Sequence, residues 1–95
     1  MQVLHENTNK KGAFYVMVNQ NKEAEMTYTW AGTDKIIIDH TEVSDVLRGQ
    51  GVGYKLVEAA VHFMRDNNVK AIPLCPFAKS VFDKTPEYAD VLFKK

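Results

Sequence analysis

The hydrophobic pattern changes period once along the chain, from strand-like to helix-like, and the change falls at a group of glycines. Ahead of it, "AFYVMVNQ" (13–20) and "AEMTYTWAG" (24–32) are rich in the aromatic and β-branched residues that suit a pleated, half-buried surface. The polar "NQNKE" between them predicts a hairpin connection. "KIIIDHTEV" (35–43) opens with three isoleucines in succession, the pattern of a strand covered on both faces, and turns polar at Asp39. It is predicted to be the central strand. From Val52 the apolar residues Val52, Leu56, Ala59, Ala60, Phe63 and Met64 follow helical spacing, while Lys55, Glu58, His62 and Arg65 share the other face. Asn67 and Asn68 can end that helix, because asparagine tolerates the left-handed cap conformation. "VKAIPLCP" (69–76) reads as a short strand interrupted by Pro73 and Pro76. "FAKSVFDK" and "PEYADVLF" predict two short helices, the second opened by Pro86 in its first turn.

Strands, then a strand, glycine loop and helix, then one more strand and terminal helices: this order predicts a mixed α/β domain with helices packed on a sheet. Its 95 residues, 45% of them hydrophobic, fit one domain over 1–95 with a small core and little room for a large internal cavity. Twelve basic residues balance twelve acidic ones, so no overall field draws the chain to nucleic acid or an anionic membrane. Any anion it binds must be held locally. Cys75 is the one cysteine, which excludes an internal disulfide and suits a reducing compartment. The N-terminal residues hold no apolar signal-like run, and no apolar stretch reaches membrane-spanning length. A soluble, cytoplasmic protein is expected. His5, His40, His62 and Cys75 lack metal-ligand spacing, so no metal site is expected.

The glycine group itself is "LRGQGVGYKLVEAAV". A strand that turns through glycines into a helix leaves first-turn N–H groups unpaired at the positive end of the helix dipole. That is an anion site. Gly49, Gly51 and Gly53 lack the Cβ atoms that would hold a phosphate off the backbone, and Arg48 adds a charged donor beside them. The plainer alternative is a tight turn that needs a positive φ at one or two glycines. Two familiar phosphate loops do not fit. No Gly-Lys-Ser/Thr follows at P-loop spacing, and Tyr54 stands where a dinucleotide fingerprint requires its third glycine.

Arg48-Gly49-Gln50-Gly51-Val52-Gly53 does match the Arg/Gln-x-x-Gly-x-Gly/Ala signature of the GNAT superfamily of acyl-CoA-dependent acetyltransferases, between a strand and a helix as in that family. With "HTEV" before the loop, "CPF" on the next strand and "PEYADVL" near the end, the chain from about Ile36 to Leu92 resembles very small, single-domain GNAT proteins. The resemblance implies a mostly antiparallel sheet, with acetyl-CoA as cofactor and an N-acetyltransferase activity. It implies that the pyrophosphate of acetyl-CoA rests on the amides of Gln50, Gly51, Val52, Gly53 and Tyr54, beside Arg48 and Gly49. The pantetheine would lie between splayed strands ending near Val43 and Cys75. Pro73 and Pro76 make such a splay plausible, since neither donates a ladder hydrogen bond.

Acetyl transfer needs a base for the attacking amine and, in many relatives, an acid for the leaving thiolate. Relatives often take that acid from a tyrosine in the helix after the splayed strand; Phe82 is its equivalent here. His40 and Cys75 are the remaining candidates, and in the small family a cysteine and a histidine are associated with the active site. Imidazole changes charge near neutral pH, which suits a base; a structural histidine is the alternative. Cys75 is a candidate acyl-carrying nucleophile or proton donor, or else a small apolar core residue. Glu42 lies two residues from His40, hence on the same strand face, and is a second candidate base. The acceptor, a small-molecule or peptide amine, carries no motif, and neither does an oligomeric state. A CoA-binding module with little catalysis is the alternative reading, because Phe82 offers no hydroxyl.

Overall fold

In a computed structural model, which describes residues 1–94, the chain folds into one five-stranded sheet with two helices. The strands are β1 (Leu4–Asn7), β2 (Lys11–Val18), β3 (Asn21–Trp30), β4 (Lys35–Val43) and β5 (Lys70–Pro73). They lie in chain order across the sheet, antiparallel except that β5 runs parallel to β4. The parallel pair needs a crossover, and α1 (Val52–Asn67) supplies it. α2 (Pro76–Lys84) follows β5 directly. The predicted mixed, mostly antiparallel architecture is the one observed.

Alternation decides which face is covered. Phe14 and Val16 of β2, Ala24, Met26 and Tyr28 of β3, and Ile36 and Ile38 of β4 are buried on the face that meets α1, against Leu56, Val57, Ala60, Val61 and Met64. The intervening Tyr15, Glu25, Thr27 and Ile37 are only half-buried. β4 is therefore covered on one face, not both as its isoleucine run suggested, and β3 rather than β4 holds the centre of the sheet. The isoleucines read as a parallel-sheet core because one of β4's two neighbours is in fact parallel.

Local signals account for the element ends. The β2–β3 turn is Asn19-Gln20, both at positive φ (51° and 70°), a two-residue hairpin turn tighter than the predicted connection. Asn68 caps α1 in the left-handed conformation, its N–H donating to Met64 O. The second of the two short helices expected near the end, opened by Pro86, is a 3-10 helix, Pro86–Val91. β1 has no counterpart in the sequence reading, since its "LHEN" carries no apolar alternation. It is held instead by polar contacts: Tyr28 Oη donates to Asn7 Oδ1 (2.9 Å) and Trp30 Nε1 to the same atom (2.8 Å). Tyr28 having given its proton to Asn7, His5 Nε2 is the donor in the 2.6 Å contact with the Tyr28 oxygen. The His5 ring stacks on Phe14 with centroids 4.0 Å apart.

Candidate active site

Beyond Val43 the chain passes through a 3-10 turn, Asp45–Leu47, whose Leu47 side chain is anchored in the core. Gly49 (φ 82°) and Gly51 (φ 67°) then take left-handed conformations that reverse the chain into α1. A Cβ on either would meet no atom within 4 Å, so the space in front of both is open. Gly51 is the N-cap of α1 and has no side chain to cap with, and the first turn carries no acidic residue. The amides of Val52, Gly53 and Tyr54, which lie too early in the helix for an intrahelical partner, thus have no capping side chain either. A sixteen-residue helix with its N-terminus left open is suited to an anion. Gly53 serves differently from its two neighbours. A Cβ there would come within 2.6 Å of the Phe77 ring, so this glycine permits close packing of α1 on α2.

The open amides form one wall of a cleft of about 360 Å³. Of the residues proposed from sequence to hold a cofactor, Val43, Arg48, Gly49, Gly51, Val52, Gly53 and Tyr54 line it. Gln50 does not; it faces a neighbouring hollow together with Tyr54, Lys55 and Tyr88. The exposed Arg48 guanidinium is paired with Asp45, so its charge is shared within the loop. Sequence reasoning missed three lining residues: Thr41, Leu47 and Phe77.

At the far end of the cleft β4 and β5 part. Their pairing runs from Lys35 opposite Lys70 to Ile38 opposite Pro73 and stops there. The amides of Leu74 and Cys75 both turn back to Ile38 O (3.1 and 3.0 Å), while β4 continues to Val43 paired with β3 alone. The interruption falls at Pro73, as the prolines suggested.

The faces of β4 are set by one extra residue. Tyr28 of β3 lies opposite Ile38, but Thr27 lies opposite His40, which leaves Asp39 without a partner in the ladder. Counting by twos from Ile36 and Ile38 would put His40 on the α1 face. The extra residue reverses the parity. Thr41 and Val43, opposite Met26 and Ala24, take the α1 face and the cleft, whereas His40 and Glu42, opposite Thr27 and Glu25, take the other. Asp39 accepts a hydrogen bond from Thr29 Oγ1 (2.8 Å). Cys75 lies on the cleft side, 4% exposed, and its thiol donates to Thr41 Oγ1 at 3.3 Å. The structure therefore brings Cys75 to Thr41 and sets His40 and Glu42 on the opposite face beside the same break in pairing. Phe82 is buried in the core, its ring edge-on to Tyr88 at 6.1 Å. Among the described residues no group of histidine, cysteine and acidic side chains is arranged to hold a metal, and no helix is long and apolar enough to cross a membrane.

Comparison with known proteins agrees with this architecture. The profile of the GCN5-related N-acetyl-transferase family matches residues 13–91, and the chain belongs to that family. It is 40% identical to a GCN5-like protein of Staphylococcus aureus solved by NMR, over 97% of this chain and 89% of that one, with a TM-score of 0.72. It is 30% identical over 87 residues to Protein NATD1 of Gallus gallus, covering 90% of this chain and 77% of the relative. The fold also matches AAC(6')-Iy, solved with the bisubstrate analog CoA-S-monomethyl-acetylneamine, at a TM-score of 0.55 and 10% identity, covering 93% of this chain and 65% of that one.

Proposed function

We propose that the protein transfers an acetyl group from acetyl-CoA to an amine, with the pyrophosphate held at the N-terminus of α1 and the thioester lying where β4 and β5 part. The observation that carries this reading is the open, uncapped start of α1: two glycines at positive φ face empty space at the mouth of a cleft that leads to Thr41. The chain has the groups this cofactor requires. Backbone amides suit a pyrophosphate, and Val43, Val52 and Phe77 give the cleft apolar walls for the thin pantetheine arm. That a protein of the same fold is solved with a CoA-containing analog agrees with the choice of cofactor.

Acetyl-CoA supplies an activated acyl group; the chain must orient it and manage protons. The first-turn amides bind the negative charge and fix the register of the arm in the cleft. An amine approaching from the face that carries His40 and Glu42 would meet a base there, directly or through water. Cys75, bonded to the cleft-lining Thr41, is the reserve from which a proton for the departing sulfur is drawn. Its burial away from the cleft, with no histidine bonded to the thiol, favours that role over acyl carriage. The acceptor is a small-molecule or peptide amine.

A second reading, CoA binding with little transfer, is favoured by Phe82, which offers no hydroxyl, and by the separation of His40 from the cleft. Release of free thiol from acetyl-CoA, followed across polyamines, basic peptides and small amines, decides between them. Turnover above background with at least one amine supports transfer. Tight acetyl-CoA binding without turnover on any of them supports the binding module.

A further inference from the structure

We propose that Thr41 is the residue that hands a proton to the sulfur of CoA, with Cys75 behind it as a relay partner rather than in contact with the substrate. This inference rests on the acetyl-CoA reading above. Three observations carry it. Thr41 lines the cleft and Cys75 does not. The Cys75 thiol is buried and donates to Thr41 Oγ1, so the hydroxyl already has a proton donor at its back. The hydroxyl's own proton has no acceptor among the described residues, which leaves it to the cleft.

The extra residue at Asp39 is what delivers Thr41 to this place, since it turns residues 41 and 43 onto the α1 face. The opposite end of the relay is also prepared. Cys75 is the N-cap of the nine-residue α2, whose next residue is Pro76 and whose start has no side-chain cap. A negative charge on the Cys75 sulfur would sit at the positive end of that helix dipole.

The proton path balances. Thr41 gives its hydroxyl proton to the sulfur as the thioester C–S bond breaks and the electron pair stays on sulfur, forming the S–H bond of free CoA. The Thr41 oxygen recovers a proton from Cys75, whose S–H bond breaks. Cys75, left as thiolate, regains through solvent the proton that the attacking amine loses, and no acetyl group is attached to the protein.

The test uses acetyl-CoA with hydroxylamine, a nucleophile largely unprotonated at neutral pH and small enough to need no acceptor pocket, corrected for the uncatalysed reaction. Thr41→Val keeps the shape and removes the hydroxyl. It should lower kcat by about a hundredfold, the usual scale for a positioned proton-transfer group, and leave the Kd for acetyl-CoA within about twofold. Thr41→Ser should restore most of the rate. Cys75→Ala should be slow as well, and the Thr41→Val/Cys75→Ala double variant no slower than the worse single one, because the two groups act as a unit. A second readout needs no turnover. As Cys75 is the one thiol of the protein and acetyl-CoA, a thioester, has none, the S–H stretching band in the Raman spectrum should shift when acetyl-CoA binds the wild type, and Thr41→Val should both move the unliganded band and abolish the shift induced by acetyl-CoA. A folded Thr41→Val that turns over like the parent, or an S–H band indifferent to Thr41→Val, overturns the proposal. A wild type that binds acetyl-CoA but does not accelerate hydroxylaminolysis overturns the transfer reading instead, and the S–H band then decides the Thr41 contact by itself.

Discussion

Thr27 stands directly across from His40 in the β3–β4 register, which carries the imidazole to the face opposite Cys75 and the cleft. A base on that face can act on an amine entering the break between β4 and β5 but has no part in holding the cofactor. His40→Gln should therefore leave the Kd for acetyl-CoA within about twofold while lowering kcat/KM for a protonated amine by about tenfold or more, with a smaller loss for hydroxylamine, which needs little deprotonation. Calorimetry and thiol-release kinetics separate the two effects. An imidazole that touched the cofactor would show itself as weakened acetyl-CoA binding.

Gly53 separates affinity from stability. An alanine there would press on the Phe77 ring, which is half-buried and able to swing into the cleft it lines. The added methyl also improves helix propensity by roughly 0.5–1 kcal/mol, which offsets part of the packing strain. Gly53→Ala should keep Tm within a few degrees yet weaken acetyl-CoA binding by about fivefold, or about 1 kcal/mol, and adding Phe77→Leu should recover most of the loss. Unaltered affinity in Gly53→Ala would mean that Phe77 does not shape the site.

How far the sequence revealed all this depends on how each feature is written in it. The start and end of α1 were legible because a 3.6-residue apolar period stops at an asparagine that can adopt a positive φ, as Asn68 does. The loop was legible because turning the chain into an uncapped helix at positive φ calls for glycines, although the missing Cβ of Gly53 makes room for the Phe77 ring. The faces of β4 were not. A single unpaired residue at Asp39 leaves no mark on composition or period, yet it exchanges His40 for Thr41 in the cleft. β1 was hidden for a related reason. Four residues joined to the core through Tyr28 and Asn7 show no hydrophobic stripe.

The Tyr28 contact makes stability sensitive to alkaline pH. Burial pushes the Tyr28 hydroxyl up from 10.0 to about 12. Between those values the unfolded chain loses this proton while the folded chain keeps it, so stability is fully present below about pH 10 and is lost as pH rises towards 12. Burial lowers His5 from its usual 6.5, with the opposite consequence: acidification below about 6.5 destabilises the fold. Urea midpoints for Tyr28→Phe should start lower, since the variant loses hydrogen bonds to His5 and Asn7, and then fall less steeply from pH 10 to 12 than those of the parent. Parallel curves would place the Tyr28 hydroxyl in contact with solvent.

The central claim is that the open N-terminus of α1 holds the phosphates of acetyl-CoA, and position 51 tests it most directly. A branched residue such as valine is a poor probe, because at φ 67° it would strain the backbone whatever it did to a ligand. Asparagine accepts that conformation and places its side chain in the space where a Cβ meets nothing. Calorimetric titration of acetyl-CoA into Gly51→Asn, with Tm confirming an intact fold, should give an affinity weaker by about tenfold or more, or about 1.4 kcal/mol. A folded Gly51→Asn that binds acetyl-CoA as the parent does would contradict the account and move the cofactor off the loop.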